Sequence, residues 1–197
     1  EQNSLMGICD PAQSWNALTV GAFTDLVELP NGLSAVAVKG AMSPFSTTSQ
    51  TWVKHYPLKP DVVFEGGNLI QDEIMGPITA GELSLLTTHH LPIERPLALA
   101  TATSAATSLC ARMAAQLMAT YPQLWPESIR ALIVHSAEWT DAMKDMFLPS
   151  DRAPTKQDYE HLIRHCGFGV PSLERAMWSA SNSLTLAVQD TLQPFKK

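Results

Sequence analysis

The sequence is poor in cysteine and in charged residues, and it contains no long hydrophobic run. Its three cysteines, Cys9, Cys110 and Cys166, form no CxxC pair and no Cys/His ligand spacing. This argues against a disulfide framework and a zinc site, and it favours a reducing compartment. No apolar stretch approaches the roughly 20 residues that cross a bilayer, so we expect no membrane partner.

Charged residues make up 16% of the 197 residues and hydrophobic residues 45%, which is typical of a globular domain rather than a disordered chain. Acidic residues outnumber basic ones by 19 to 13, and the formal net charge is -6. Because the basic residues are scattered along the chain, we expect no nucleic-acid partner.

The first half of the sequence predicts strands and the second half predicts helices. Short segments rich in β-branched or small apolar residues, bounded by Gly, Asn or Pro, predict strands at residues 17–22, 33–38, 61–64, 83–88 and 97–101. Apolar residues at three- and four-residue spacing predict a long buried helix from Ser104 to Tyr121. Further helices are predicted from Pro126, over 158–165 and over 171–178, with an irregular polar segment at 141–158 and a last strand at 183–188.

A serine lies where the last of these five strands meets the long helix. Residues 99–106 pass from the strand through a turn of small residues to Ser104 in the first helical turn. A helix N-terminus offers unpaired N–H groups and positive potential, which stabilise the oxyanion formed when a serine attacks a carbonyl. Serine is also a favoured helix cap, and on local features alone that interpretation is the stronger one.

Several motifs, in order along the chain, resemble the subtilisin-like serine proteases (subtilases, peptidase family S8). Residues 16–22 resemble a strand ending in Val-Gly-Ala, 43–46 a Phe-Ser element, and 59–66 the motif Lys-Pro-Asp-Val-x-Ala-Pro-Gly. Thr103, Ser104 and Ala106 fit the serine motif Gly-Thr-Ser-x-Ala, and 166–170 resembles a Tyr-Gly-x-Gly turn. An alanine-rich helix and a second helix at 126–133 lie between them.

The resemblance implies a three-layer α/β fold with a mostly parallel sheet, right-handed crossovers and helices on both faces. Residues 1–180 would form the C-terminal part of the catalytic domain, and 181–197 a strand leading out of it. Ser104 would be the nucleophile of an Asp/His/Ser triad, with its own N–H directed at the oxyanion.

Other parts of that site have no counterpart in this sequence. The Asp-x-Gly and His-Gly-Thr motifs do not occur, so the triad is incomplete. Asn3 lacks the glycine that precedes the oxyanion asparagine of the family. Asn68 follows the wrong strand, and we expect it to be a loop residue that tolerates a positive φ. Structural roles are favoured for all six histidines, His55, His89, His90, His135, His161 and His165. Asp61 is expected to position its loop.

Ala102 stands where the serine motif has glycine. The substitution matters if this position takes a φ open only to glycine or if substrate backbone approaches it closely; otherwise a methyl group is tolerated. The two alternatives are evenly balanced.

The leading hypothesis is the serine-bearing half of a bacterial, cytoplasmic subtilisin-like endopeptidase that cleaves polypeptides and is inactive without its N-terminal half. We expect the face that the missing half would cover to promote a homodimer or aggregation. A pseudoprotease or peptide-binding regulatory domain is the alternative, and an unrelated α/β domain is the third. We expect no cofactor or metal, since no acidic loop typical of calcium is recognisable.

Overall fold

The computed structural model of the chain describes residues 5–30, 32–72, 74–181 and 189–191. Within them the strands are β1 (Val20–Phe23), β2 (Ser34–Ala35), β3 (Val62–Glu65), β4 (Ile70–Gln71), β5 (Leu85–Thr88) and β6 (Leu97–Ala100). The helices are α1 (Ala102–Thr120), α2 (Pro126–His135), α3 (Asp141–Phe147), α4 (Lys156–Cys166) and α5 (Leu173–Ser181). The strand predicted at 183–188 lies outside the described residues.

A parallel pair, β1 and β3, forms the centre of the domain, in register from Val20 opposite Val62 to Phe23 opposite Glu65. Successive side chains of a strand point to opposite faces. Val62 accordingly packs with residues of α1, α2 and α5, whereas its neighbour Val63 packs with residues of α3 and α4. Helices therefore cover both faces, which confirms the expected α/β fold.

Two antiparallel pairs lie outside this centre, β2 with β4 and β5 with β6. The strand predicted at 33–38 is shorter than expected, and its partner β4 was not predicted. The reason is the backbone N–H of Ala37, which donates to the side chain of Asn68 at 3.1 Å instead of continuing a ladder. A side-chain partner thus ends the strand.

The predicted helices at Pro126, near residue 158 and after Pro171 are confirmed as α2, α4 and α5, and α1 begins two residues before Ser104. The interpretation of 141–158 as irregular is wrong over its first part, which forms α3. There the Thr140 hydroxyl caps the helix by accepting the Met143 N–H at 3.1 Å, and the Met143 side chain is buried. One buried side chain in a short polar segment gives too little periodicity to detect.

Cys110 and Cys166 are buried in the cores on opposite faces of the central strands, and Cys9 is exposed. In the described part of the chain, no helix combines the length and the apolar character that a bilayer crossing requires.

A buried ion pair lies at the amino end of β3. The Lys59 ammonium, with the residue only 1% exposed, donates to Asp61 Oδ2 and to the Ala17 carbonyl, both at 2.7 Å. The same carboxylate accepts the Thr19 N–H at 2.7 Å and lies 3.3 Å from the Arg130 guanidinium of α2. Asp61 thus connects the start of β3 with the residue before β1 and with α2. This agrees with the loop-positioning role expected for it.

Asp61→Asn should lower the free energy of unfolding by about 3 kcal/mol, because it leaves the Lys59 ammonium buried without a counter-charge. Urea denaturation measures the change. Asp141→Asn is the matched control, since Asp141 forms an exposed ion pair with Lys144 and should give no measurable change. Equal stability of the two variants would contradict a structural role for the buried pair.

A turn with two glycines follows α4 and hydrogen-bonds β3 and the residue before it. Gly167 has φ +56° and Gly169 has φ +100°. The Gly169 carbonyl accepts the Val63 N–H at 3.0 Å, and the Phe168 N–H donates to the Asp61 carbonyl at 2.8 Å. A Cβ atom would collide with the backbone of Asp61 at Gly167 and with that of Glu138 at Gly169. Both glycines are therefore required by φ and by space.

Gly169→Ala should destabilise the domain by about 3 kcal/mol or more, because the methyl group meets rigid backbone as well as an unfavourable φ. Gly76→Ala is the control: Gly76 has φ +75° with open space around its Cα, so only the conformational penalty of about 1 kcal/mol applies. Thermal and urea unfolding of both variants separate the two contributions, and similar losses would argue against the close packing.

Candidate active site

The start of α1 rests on the carboxyl ends of the central strands. The Gly66 N–H, directly after β3, donates to the Phe23 carbonyl of β1 at 3.0 Å, and the Gly66 carbonyl accepts the Ala102 N–H at 2.7 Å. A Cβ at Gly66 would collide with Ala22 and press on the Ala102 carbonyl. The absence of a side chain at Gly66 thus lets the first residue of α1 sit against the sheet edge, where ligands bind in α/β folds.

Glu65 holds the two loops beside this contact, a role that the sequence analysis missed. One carboxylate oxygen accepts the Gly67 N–H at 2.7 Å and the other accepts the Asp25 N–H at 2.6 Å. The Ser43 hydroxyl donates to the Gly67 carbonyl at 2.6 Å. The available signal was Glu65 itself, which stands where the resembling motif has proline.

Ser104 is the third residue of α1, and its side chain is exposed. The N-cap is Thr101, whose side chain makes no capping hydrogen bond, so Ser104 is not the helix cap. Among the described residues, nothing hydrogen-bonds the Ser104 hydroxyl, and the N–H groups of Thr103 and Ser104 have no backbone acceptor. With no acidic residue in the first turn, the positive potential of the helix end is not neutralised locally.

Ala102 begins the helix at φ +68° and is the only described residue other than glycine with a positive φ. This answers the question left open by the sequence, because the position does take the conformation that favours glycine. Nearby, Thr103 is half-buried and Ala106 is fully buried, so the motif residues around Ser104 fix the helix in place while the serine faces outward.

The histidines lie elsewhere, and no histidine in the described ranges hydrogen-bonds Ser104. His89 accepts the Leu91 N–H at 3.1 Å in the turn between β5 and β6. His161 and His165 pack with Phe147, and burial lowers the pKa of His165. The other three are His55, His90 and His135. His55 stacks on Tyr56, the ring of His90 lies tilted against that of His89, and His135 ends α2.

Asn68 lies in the loop between β3 and β4, as expected, but its φ is not positive and its side chain has a structural role. It is fully buried, and its amide donates to the carbonyls of Leu26 and Ala37 at 3.0 and 2.8 Å. Its side-chain oxygen accepts the N–H groups of Ala37 and Leu69 at 3.1 and 2.9 Å. With all four positions bonded inside the fold, the amide is not available to an oxyanion.

The hairpin that leads into α1 exposes an apolar face. Leu86 and Leu99 are cross-strand partners on β5 and β6, and they are 68% and 58% exposed. Leu97 lies on the same side of β6 and is half exposed. Large aliphatic side chains next to one another on a sheet face favour coverage by another surface.

Comparison with known proteins gives one family and one relative. Residues 1–169 match the model of the Subtilase family. The chain is also similar to the uncharacterized protein y4bN of Sinorhizobium fredii (strain NBRC 101917 / NGR234), with 27% identity over 197 aligned residues. The match covers 94% of this chain and 43% of that protein, so the chain spans less than half the length of this curated relative. No solved structure matches this chain significantly.

Ala102→Gly should raise the free energy of unfolding by about 1 kcal/mol, because glycine adopts the observed φ of +68° without a Cβ clash. Ala115→Gly, at an exposed site in the middle of the same helix, should lower it by about 1 kcal/mol. Chemical denaturation of the pair tests the opposite signs. Destabilisation by both substitutions would contradict a strained Ala102.

Proposed function

The chain belongs to the subtilase family, a family of serine-type peptidases, and on that premise we propose that it carries Ser104 as the nucleophile of an endopeptidase acting on polypeptides. The observation that supports this most is the surroundings of Ser104. An exposed hydroxyl lies beside N–H groups that have no backbone acceptor among the described residues, at a helix end seated on the carboxyl edge of the central strands. A capping serine would bond one of these N–H groups and a core serine would be buried, and Ser104 does neither.

In the proposed reaction, the Ser104 oxygen attacks the carbonyl carbon of the scissile peptide while its proton passes to a histidine base. The carbonyl oxygen becomes an anion, and the Ser104 N–H at the start of α1 stabilises it. The C–N bond then breaks, the amine leaves with the proton, and water releases the acyl group from the serine oxygen. Each step needs the base to lie within hydrogen-bond reach of Ser104.

We propose that the aspartate, the histidine and the remaining oxyanion donor belong to an N-terminal half of the same domain. The length of the relative supports this division, since the chain aligns with 43% of it. The exposed leucines of β5 and β6 are the surface proposed to pack against that half, and without it the same face would drive homodimer formation. The Sinorhizobium relative supports a bacterial source, and free cysteines suit the cytoplasm.

A pseudoprotease that binds peptides without cleaving them is the alternative, and Ala102 favours it. A methyl group and backbone strain stand directly before Thr103 and Ser104, where the family's motif has glycine. Under this alternative the fold is kept for recognition, and the serine has no base.

Labelling with a fluorophosphonate probe tests the proposal, because the probe reacts only with an activated serine. We expect no labelling of this chain alone and strong labelling of a longer polypeptide that includes the upstream triad segment. Labelling should be lost in Ser104→Ala and kept in Ser108→Ala, since Ser108 is an exposed serine one helical turn away on α1. An unlabelled longer polypeptide, or labelling that survives Ser104→Ala, would refute the assignment of Ser104.

A further inference from the structure

A second candidate binding site lies at the opposite end of β3 from Ser104. A groove runs between the segment 50–58 and the segment 152–164, which includes most of α4, and we call it the basic groove. Its floor is tied to the amino end of β3: the Ser49 carbonyl accepts from the Arg164 guanidinium at 2.9 Å, and the Ser49 hydroxyl donates to the Lys59 carbonyl at 2.6 Å. The α1 start, in contrast, contacts the carboxyl end of β3.

The groove is positively charged although the whole chain has a formal charge of -6. Four basic side chains and two carboxylates line it. Both carboxylates are bonded to arginines, Asp158 to Arg152 at 2.7 Å and Glu160 to Arg164 at 3.2 Å. Lys54 and Lys156 have no carboxylate partner among the described residues, so their ammonium groups are available to an anionic ligand.

Two aromatic side chains also line the groove. Trp52 and Tyr159 line the groove, and each packs against a second ring, that of Tyr56 and that of Trp139. Aromatic faces offer the side chains of a ligand an apolar surface to pack on.

From these features we infer that the basic groove binds an extended acidic peptide segment. Acidic side chains would pair with Lys54 and Lys156, and neighbouring side chains would lie on Trp52 and Tyr159. A phosphate ion would pair with the lysines but would leave both aromatic rings uncovered. The groove volume of about 1340 Å³ exceeds the roughly 300–1000 Å³ typical of small-molecule pockets, which favours a chain over a compact metabolite.

Fluorescence anisotropy with a short fluorescein-labelled peptide of alternating glutamate and alanine tests this inference on the full chain. We expect saturable binding that weakens with salt, and no binding of the same peptide with glutamine in place of glutamate. The double variant Lys54→Gln/Lys156→Gln should weaken binding by roughly tenfold or more.

The matched control is Lys39→Gln/Arg112→Gln, which removes the same charge from exposed positions outside the groove. If the control variant lost as much affinity as the groove variant, binding would depend on the net charge of the protein and not on the groove, and the proposal would be overturned. Equal binding of the glutamate and glutamine peptides, no binding of either, or full affinity in the Lys54/Lys156 variant would overturn it too. If inorganic phosphate displaced the peptide at a similar concentration, the groove would be a simple anion site and the peptide proposal would be overturned. None of these outcomes depends on the activity of Ser104.

Discussion

The buried pair of Lys59 and Asp61 is the interaction on which the rest of the domain depends. The Asp61 carboxylate accepts the N–H of Thr19, just before β1, and forms an ion pair with Arg130 of α2. The Asp61 carbonyl accepts the N–H of Phe168 in the turn after α4. Elements that are far apart in sequence therefore meet at one end of β3. Removal of one partner would leave the other charge buried without a counter-charge, so the bonds of Asp61 hold these elements together at the amino end of β3.

The orientation of β3 sets the position of both candidate sites. Its amino end carries the ion pair and, through Ser49, the floor of the basic groove. Its carboxyl end carries Gly66, which receives the N–H of Ala102 and so places the start of α1. A four-residue strand spans about 13 Å at 3.3 Å per residue, so the two sites are near each other but do not overlap.

The sequence predicts well the elements that carry a clear pattern of apolar or β-branched residues, and it predicts poorly the elements that lack one. Helix α1 and strand β3 are recognisable because apolar or β-branched residues recur at the spacing of their structure. Helix α3 and strand β4 escape prediction because each is short and is held by tertiary contacts, among them the buried Met143 in one case and the pairing with Ser34 and Ala35 in the other. At the site, the motif identifies the serine position, but the roles of Glu65 and Asn68 arise from bonds to residues more than thirty positions away. Local patterns carry no information on such partners.

The two buried cysteines have a chemical consequence. Burial raises the pKa of the Cys110 thiol to about 11, with a smaller contribution from the negative charge of Asp61, and burial raises that of Cys166 as well. Thiolate is the form that reacts with electrophiles and oxidants, so both core thiols are unreactive at neutral pH in the folded state. Their reaction with an alkylating reagent would report opening of the core on either face of the central strands, one thiol for each side. The fold thus contains its own pair of reporters for local unfolding.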